Sequence, residues 1–261
     1  MTHPYLDLEH PIRFAHRGSQ ILWPENTIRA FQGARDLGLL YFEVDVQITL
    51  DGTVVVFHDS RLERVTNGSG SISAWMWEDV QRLDAAWRFA AEKDYPFRGS
   101  EVRIPSLDEL FATFPDVHIN IDLKANRLER AVARLIKRHR REDRTLIGSF
   151  RQRRLARFRK IVRGRVPTSA SPVRALATWL ASRTGATTQG PEIAYQVPFD
   201  HSVLRLDRKY IDAIHASGSH IHVWTVNDPV AMHQMLDLGV DGIVTDRPDL
   251  LNEVIAQRTS F

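Results

Sequence analysis

Cysteine is absent from this 261-residue chain, which excludes disulfides, thiolate metal sites and a cysteine nucleophile together. Any metal must therefore be held by oxygen or imidazole. Long apolar runs are missing too: none approaches the roughly 20 residues of a membrane span, and the opening MTHPYLDLEHPIRF lacks the apolar core of a signal peptide. A cytoplasmic location is the expectation. Acids are scarce in one stretch, because between Arg134 and Arg165 only Glu142 and Asp143 interrupt a series of arginines and lysines. Such a stretch is either a surface for phosphate-rich partners or anionic lipid, or the solvated face of two amphipathic helices. Leu135, Ile136, Leu155 and Phe158 supply the apolar stripe that the second reading needs. Weak membrane-surface contact through these helices is one expectation; no nucleic-acid partner is expected, and the oligomeric state is open.

What is present is ordinary for a soluble globular chain, with 43% hydrophobic and 26% charged residues and a net charge of +3. The length suits one (β/α)₈ barrel, which takes about 250 residues. Ile12 to Ala15 reads as a short strand ending in His16-Arg17-Gly18. A helix over Thr27 to Leu37 follows, with Gly38 as its cap. Then Glu43, Asp45 and Gln47 alternate with Phe42, Val44, Val46 and Ile48. Side chains on a strand alternate between its faces, so two carboxylates share one face. Two like charges there need either a cation between them or water around them. Asp51-Gly52 turns the chain, and the run Val54 to Phe57 delivers His58 and Asp59.

From Ser60 to Arg103 the alternation stops and aromatics crowd in, which reads as an insertion at about 60–104 after the second strand. It is either a lid or substrate wall, or a unit whose rings form its own core. Ser106 and Glu109 form a capping box for the next helix. Strand His118 to Leu123 repeats the earlier grammar, with Asn120, Asp122 and Lys124 on one face. Further alternation places a helix at 128–139, a strand at 145–149, a helix at 151–161, a short strand Val166 to Ala170 and a helix at 173–182. A strand over 193–197, a helix over 207–217, the strand carrying His220, His222 and Trp224, and a last strand ending at Thr245-Asp246 complete about eight repeats. The fold class is α/β, a single TIM-barrel domain with a small insertion. In it the polar strand ends His16, Arg17, Glu43, Asp45, His58, Asp122, Lys124 and Trp224 converge on the C-terminal rim.

Three carboxylates without thiolate, Glu43, Asp45 and Asp122, make a hard oxygen site suited to a divalent metal, Mg²⁺ or Ca²⁺. Arg17 and Lys124 add positive charge for an anion such as phosphate. His16 and His58 can divide the proton work of a displacement. Together they read as metal-assisted phosphodiester cleavage.

His16-Arg17-Gly18, Pro24-Glu25-Asn26-Thr27, Glu43-Val44-Asp45, Thr49-Leu50-Asp51-Gly52 and His58-Asp59 resemble the signature of the glycerophosphodiester phosphodiesterase family. The likeness continues through Ile104-Pro105-Ser106-Leu107, Asn120-Ile121-Asp122-Leu123-Lys124, Val223-Trp224-Thr225-Val226-Asn227 and Asp241-Gly242-Ile243-Val244-Thr245-Asp246. The resemblance implies a barrel in which Glu43, Asp45 and Asp122 ligate the metal, and His16 and His58 are acid and base. It implies that Arg17 and Lys124 hold the phosphate, and that Trp224 lies near the substrate's glycerol. The family usually has glutamate where this chain has Asp122, and the shorter arm either leaves room for a water in the coordination shell or shifts the preferred ion. The expected reaction is hydrolysis of glycerophosphodiesters to sn-glycerol 3-phosphate and an alcohol. The alternative is a phospholipase acting on intact phospholipid or lysophospholipid. Enolase-type proton abstraction and a non-catalytic polyanion-binding barrel are weaker rivals, since neither uses both histidines.

Overall fold

The computed structural model describes residues 3–7, 9–201 and 204–259. Strands β1 (Ile12–His16), β2 (Tyr41–Ile48), β4 (His118–Leu123), β5 (Thr145–Gly148), β6 (Ala194–Pro198), β7 (His220–Trp224) and β8 (Gly242–Thr245) lie in the order β5-β4-β2-β1-β8-β7-β6. All of these ladders are parallel. The gap between β5 and β6 is closed by two parallel bridges, Ile147 with Thr168 and Ser169 with Ala194. The strand expected over Val166 to Ala170 is thus cut to its two bridging residues. Pro167 has no N–H to donate, but its carbonyl accepts from Ile147, Ser169 donates to the Ile147 carbonyl, the Thr168 carbonyl accepts from Ile193 and Ala170 donates to the Ala194 carbonyl, so the segment is bonded on both sides. The result is an eight-stave barrel of the (β/α)₈ type.

The short β3 (Val54–Val56) folds back antiparallel on the upper half of β2 across the Asp51-Gly52 turn. Its hairpin carries His58 to the same rim as the parallel strand ends. The helices α1 (Ile28–Asp36), α3 (Leu107–Thr113), α4 (Leu128–Arg138), α5 (Gln152–Val162), α6 (Pro172–Thr184), α7 (Arg208–Ala216), α8 (Pro229–Leu238) and α9 (Pro248–Thr259) surround the strands, and α2 (Trp77–Val80) is a single turn in the segment after β3. Their starts obey local chemistry. Thr27, Ser106, Ser171, Asp207 and Asp228 each accept a backbone N–H three residues on, the N-cap bond that satisfies an otherwise orphaned donor. Of the capping box expected at Ser106 and Glu109, only the Ser106 half forms.

Residues 60–104 build a small unit beside the barrel. Leu62, Ile72, Val80, Leu83, Ala86 and Val102 bury together with Val55 and Phe57, and Trp75, Trp77 and Phe97 pack against them. The rings serve that local core. The floor of the barrel is plugged by the N-terminal turn: the Tyr5 carbonyl accepts from the Tyr41 hydroxyl at 2.7 Å and lies 3.0 Å from His118 Nδ1. Arg141, within the basic run read as surface, is instead buried at 2% exposure and caps the end of α3, donating to the carbonyls of Phe114 and Val117.

Candidate active site

His16, Arg17, Glu43, Asp45, His58, Asp122, Lys124 and Trp224 all line one cavity of about 420 Å³ at the C-terminal ends of the strands. Parallel pairing brings them there. His16 stands opposite Glu43 in the β1–β2 ladder, and Asp45 opposite Asp122 in β2–β4. The polar face of β2 is not solvated: Glu43, Asp45 and Gln47 are all buried. Charge repulsion is therefore settled by partners and not by water.

Those partners are specific. The Lys124 ammonium bridges the two aspartates, 3.0 Å from Asp45 Oδ1 and 2.7 Å from Asp122 Oδ2. Arg17 Nε approaches Asp45 Oδ2 to 2.9 Å, without the alignment of a hydrogen bond, while its Nη1 donates to Glu25 at 3.0 Å. Arg64 closes the chain by donating to both oxygens of Glu25 and reaching Asp59. Arg17 itself sits at φ +53, tethered by its N–H to the Glu43 carbonyl and by its own carbonyl to the Asn26 N–H. Gly18 follows at φ +79, where an added Cβ would lie 2.7 Å from that of Ala30. This turn is tight enough that only glycine fits.

Both histidines are oriented by carboxylates through Nδ1. His16 Nδ1 lies 2.7 Å from Asp246 Oδ1, and His58 Nδ1 lies 2.6 Å from Asp59 Oδ1. Asp246 is in turn fixed by Gln20 and Asn227 on Oδ2 and by its own N–H to Asn227. A neutral imidazole that donates from Nδ1 keeps Nε2 as its free base, so each ring has that nitrogen left for a ligand. Burial alone would lower the His16 imidazole, but the bond to Asp246 and the charges of Glu43 and Asp246 outweigh it and raise its pKa.

The carboxylates are unequally compensated. Burial pushes Glu43 up to about 7, assisted by the charge of Asp45 and opposed by His16, Arg17 and Lys124. Burial also raises Asp122. Asp45 is held below the usual carboxylate range because Arg17 and Lys124 overcome its burial. Glu43 Oε2, Asp122 Oδ1 and Asn120 Oδ1 are buried with no hydrogen-bond partner. Among the described residues no three acidic or imidazole side chains are already closed around one point as a metal cage. The orphaned oxygens and the strained charge of Glu43 nevertheless fit an oxygen-seeking cation.

The residues that orient the site, Asp246, Asp59, Glu25, Asn26 and Arg64, are not among those that the sequence reading assigned to it. Asp59 adjoins His58 in the chain and could have been found that way. Asp246 is 230 residues from His16, and only closure of β1 against β8 brings them together. The far wall of the cavity is formed by Phe150, Pro172, Ala175, Val197, Leu204 and Trp224. None of its lining residues falls between 60 and 103, so the aromatics of that segment do not border this cavity.

Residues 16–250 match the model of the Glycerophosphoryl diester phosphodiesterase family. A Mycobacterium tuberculosis protein named "Probable glycerophosphodiester phosphodiesterase 2" is 34% identical over 95% of this chain and 91% of its own length. A Homo sapiens protein named lysophospholipase D is 29% identical over 92% of this chain and 85% of its own. An Oleispira antarctica phosphodiesterase, solved in complex with the product sn-glycerol-3-phosphate, shares the fold with a TM-score of 0.77 at 24% identity, over 95% of this chain and 97% of that one. On the family match and the mycobacterial relative together, the chain belongs to the glycerophosphoryl diester phosphodiesterase family.

Proposed function

We propose that this enzyme hydrolyses glycerophosphodiesters to sn-glycerol 3-phosphate and an alcohol, with a divalent metal and with His16 and His58 as the acid and base. The observation that carries the reading is the pairing of each imidazole with its own carboxylate, Asp246 and Asp59, around a cavity that also holds three acids and two cations. Glu43, Asp45 and Asp122 would hold Mg²⁺ or Ca²⁺, which when bound supplies Lewis-acid polarisation of the phosphoryl oxygens.

The remaining steps belong to the chain's own groups. Arg17 and Lys124 bind the phosphate oxygens, exchanging part of their contact with Asp45 for the ligand. One histidine takes the proton from the attacking hydroxyl at Nε2 as the other gives one to the leaving oxygen. Attack by the neighbouring glycerol hydroxyl would yield a cyclic phosphate that water then opens; direct attack by water is the other route. A search for the cyclic species, and the stereochemistry at phosphorus (retention through two displacements, inversion through one), separate them. Trp224, on the rim, would pack against the glycerol.

The test is a substrate panel with EDTA, Mg²⁺ and Ca²⁺ on the wild type, His16→Ala and His58→Ala. Each alanine variant should lose about 10²–10⁴-fold in turnover. A p-nitrophenyl leaving group needs no proton and should restore only the variant that lacks the acid. Wild-type turnover in either variant would refute the assignment. Thermal unfolding with each ion gives a readout independent of activity: the wild type should be stabilised and Glu43→Gln should not.

A second reading, hydrolysis of lysophospholipid, is favoured by the apolar far wall of the cavity, since Ala175, Val197 and Leu204 offer apolar contact suited to an acyl chain. Lysophosphatidylcholine beside glycerophosphocholine in the panel decides between them.

A further inference from the structure

One sector of the surface carries cations that this chemistry does not use. From Arg144 to Pro191 the sequence has eleven arginines and lysines and not one aspartate or glutamate, although the whole chain is only +3. The stretch covers β5, α5, the bridging residues 168–169 and α6, so the positive charge is concentrated in one part of the barrel wall. Several of these cations are used internally: Arg159 on Thr168, Arg174 on Glu192, Arg183 on Asp207. Arg153, Arg157 and Lys160 are exposed at helical spacing on α5, and Arg157 has only a 3.9 Å approach to Glu129.

The next helix in the chain, α6, exposes Val173 (64%), Leu176 (40%) and Leu180 (54%). This is an i, i+3, i+7 stripe where a barrel helix would normally turn a polar face outward. The apolar surface runs on into the active site. Phe150 is exposed and lines the cavity, Val173 follows the lining residue Pro172, and the exposed Phe199 follows the lining residue Pro198. Aliphatic side chains flanked by cations, continuous with the mouth of an apolar-walled cavity, match the interfacial zone of a bilayer.

We propose that this sector docks the active-site mouth on an anionic lipid surface. Val173, Leu176, Leu180 and the rim phenylalanines enter the headgroup boundary, and Arg153, Arg157 and Lys160 meet the lipid phosphates. A second copy of the chain is a poorer occupant, because a two-fold contact would set the acid-free sector against its own like charges. Nucleic acid would satisfy the cations but not the aliphatic stripe.

The experiment is co-sedimentation with vesicles of phosphatidylcholine, with and without phosphatidylglycerol; it needs no turnover, so its failure is separate from failure of the proposed activity. The protein should pellet with the phosphatidylglycerol vesicles and only weakly with phosphatidylcholine alone. Val173→Asp/Leu180→Asp and, separately, Arg153→Glu/Lys160→Glu should each weaken binding by about tenfold or more. None of these four residues lines the cavity, so thermal unfolding and turnover of soluble glycerophosphocholine should match the wild type. Absence of binding to either vesicle would overturn the proposal, as would binding that Val173→Asp/Leu180→Asp leaves unchanged. A dimer seen by light scattering that the aspartates dissolve would also overturn it, assigning the face to a second copy.

Discussion

Asp246 shows how much of this site is done by residues that touch nothing but other residues. Its Oδ1 lies 2.7 Å from His16 Nδ1, and its Oδ2 accepts from Gln20 and Asn227. It therefore fixes both the tautomer and the direction of the ring. Asp246→Asn should keep the shape, lose the acceptor that selects Nδ1–H, and lower kcat about 10²-fold or more with little change in KM. Steady-state kinetics on glycerophosphocholine check this; a rise in KM with kcat unchanged would make Asp246 a binding residue instead. At Gly18 the limit is steric. Gly18→Ala places a methyl 2.7 Å from Ala30 Cβ at φ +79 and should cost about 2–3 kcal/mol in unfolding free energy, read from denaturant titration.

At the scale of elements, α3 and the loop after it are tied down by a buried arginine. Arg141 donates to the carbonyls of Phe114 and Val117 and lies 4.8 Å from the centre of the Phe111 ring. A cation at a helix C-terminus is favourable, and its removal would orphan two carbonyls. Arg141→Ala should cost about 2–4 kcal/mol, lowering the melting temperature by several degrees and leaving turnover intact. Elements were the most legible level of the sequence. The period-two alternation of β2 and β4 exposed Glu43, Asp45 and Asp122 as acids standing where a parallel strand should be apolar. Sequence could not show that Lys124 lies between two of them, nor that residues 166–170 would pair through only two bridging residues. It could not link Asp246 to His16 either, because that contact exists only once the last strand closes on the first. In the 60–104 segment, composition revealed the aromatics but not which core they would join.

The whole molecule balances buried charge at the rim against a neutral imidazole inside. His222 is fully buried, both ring nitrogens lack partners, and burial pushes its pKa down to about 3 from 6.5. The unfolded chain takes up this proton below about pH 6.5 and the folded one does not. This group therefore removes stability as pH falls from 6.5 toward 3, by about 1.4 kcal/mol per pH unit. Melting followed by circular dichroism across that range should show the loss, and His222→Leu should blunt it. Activity should be bell-shaped, since one histidine must be protonated and the other not; a flat rate from about pH 5 to pH 9 would contradict the pair. The most direct measurement is release of sn-glycerol 3-phosphate from glycerophosphocholine by the metal-loaded wild type beside His16→Ala and His58→Ala. That product is expected from the wild type, with a loss of about 10²–10⁴-fold in each variant. Turnover undiminished in either variant, or release of phosphocholine in place of sn-glycerol 3-phosphate, would contradict it.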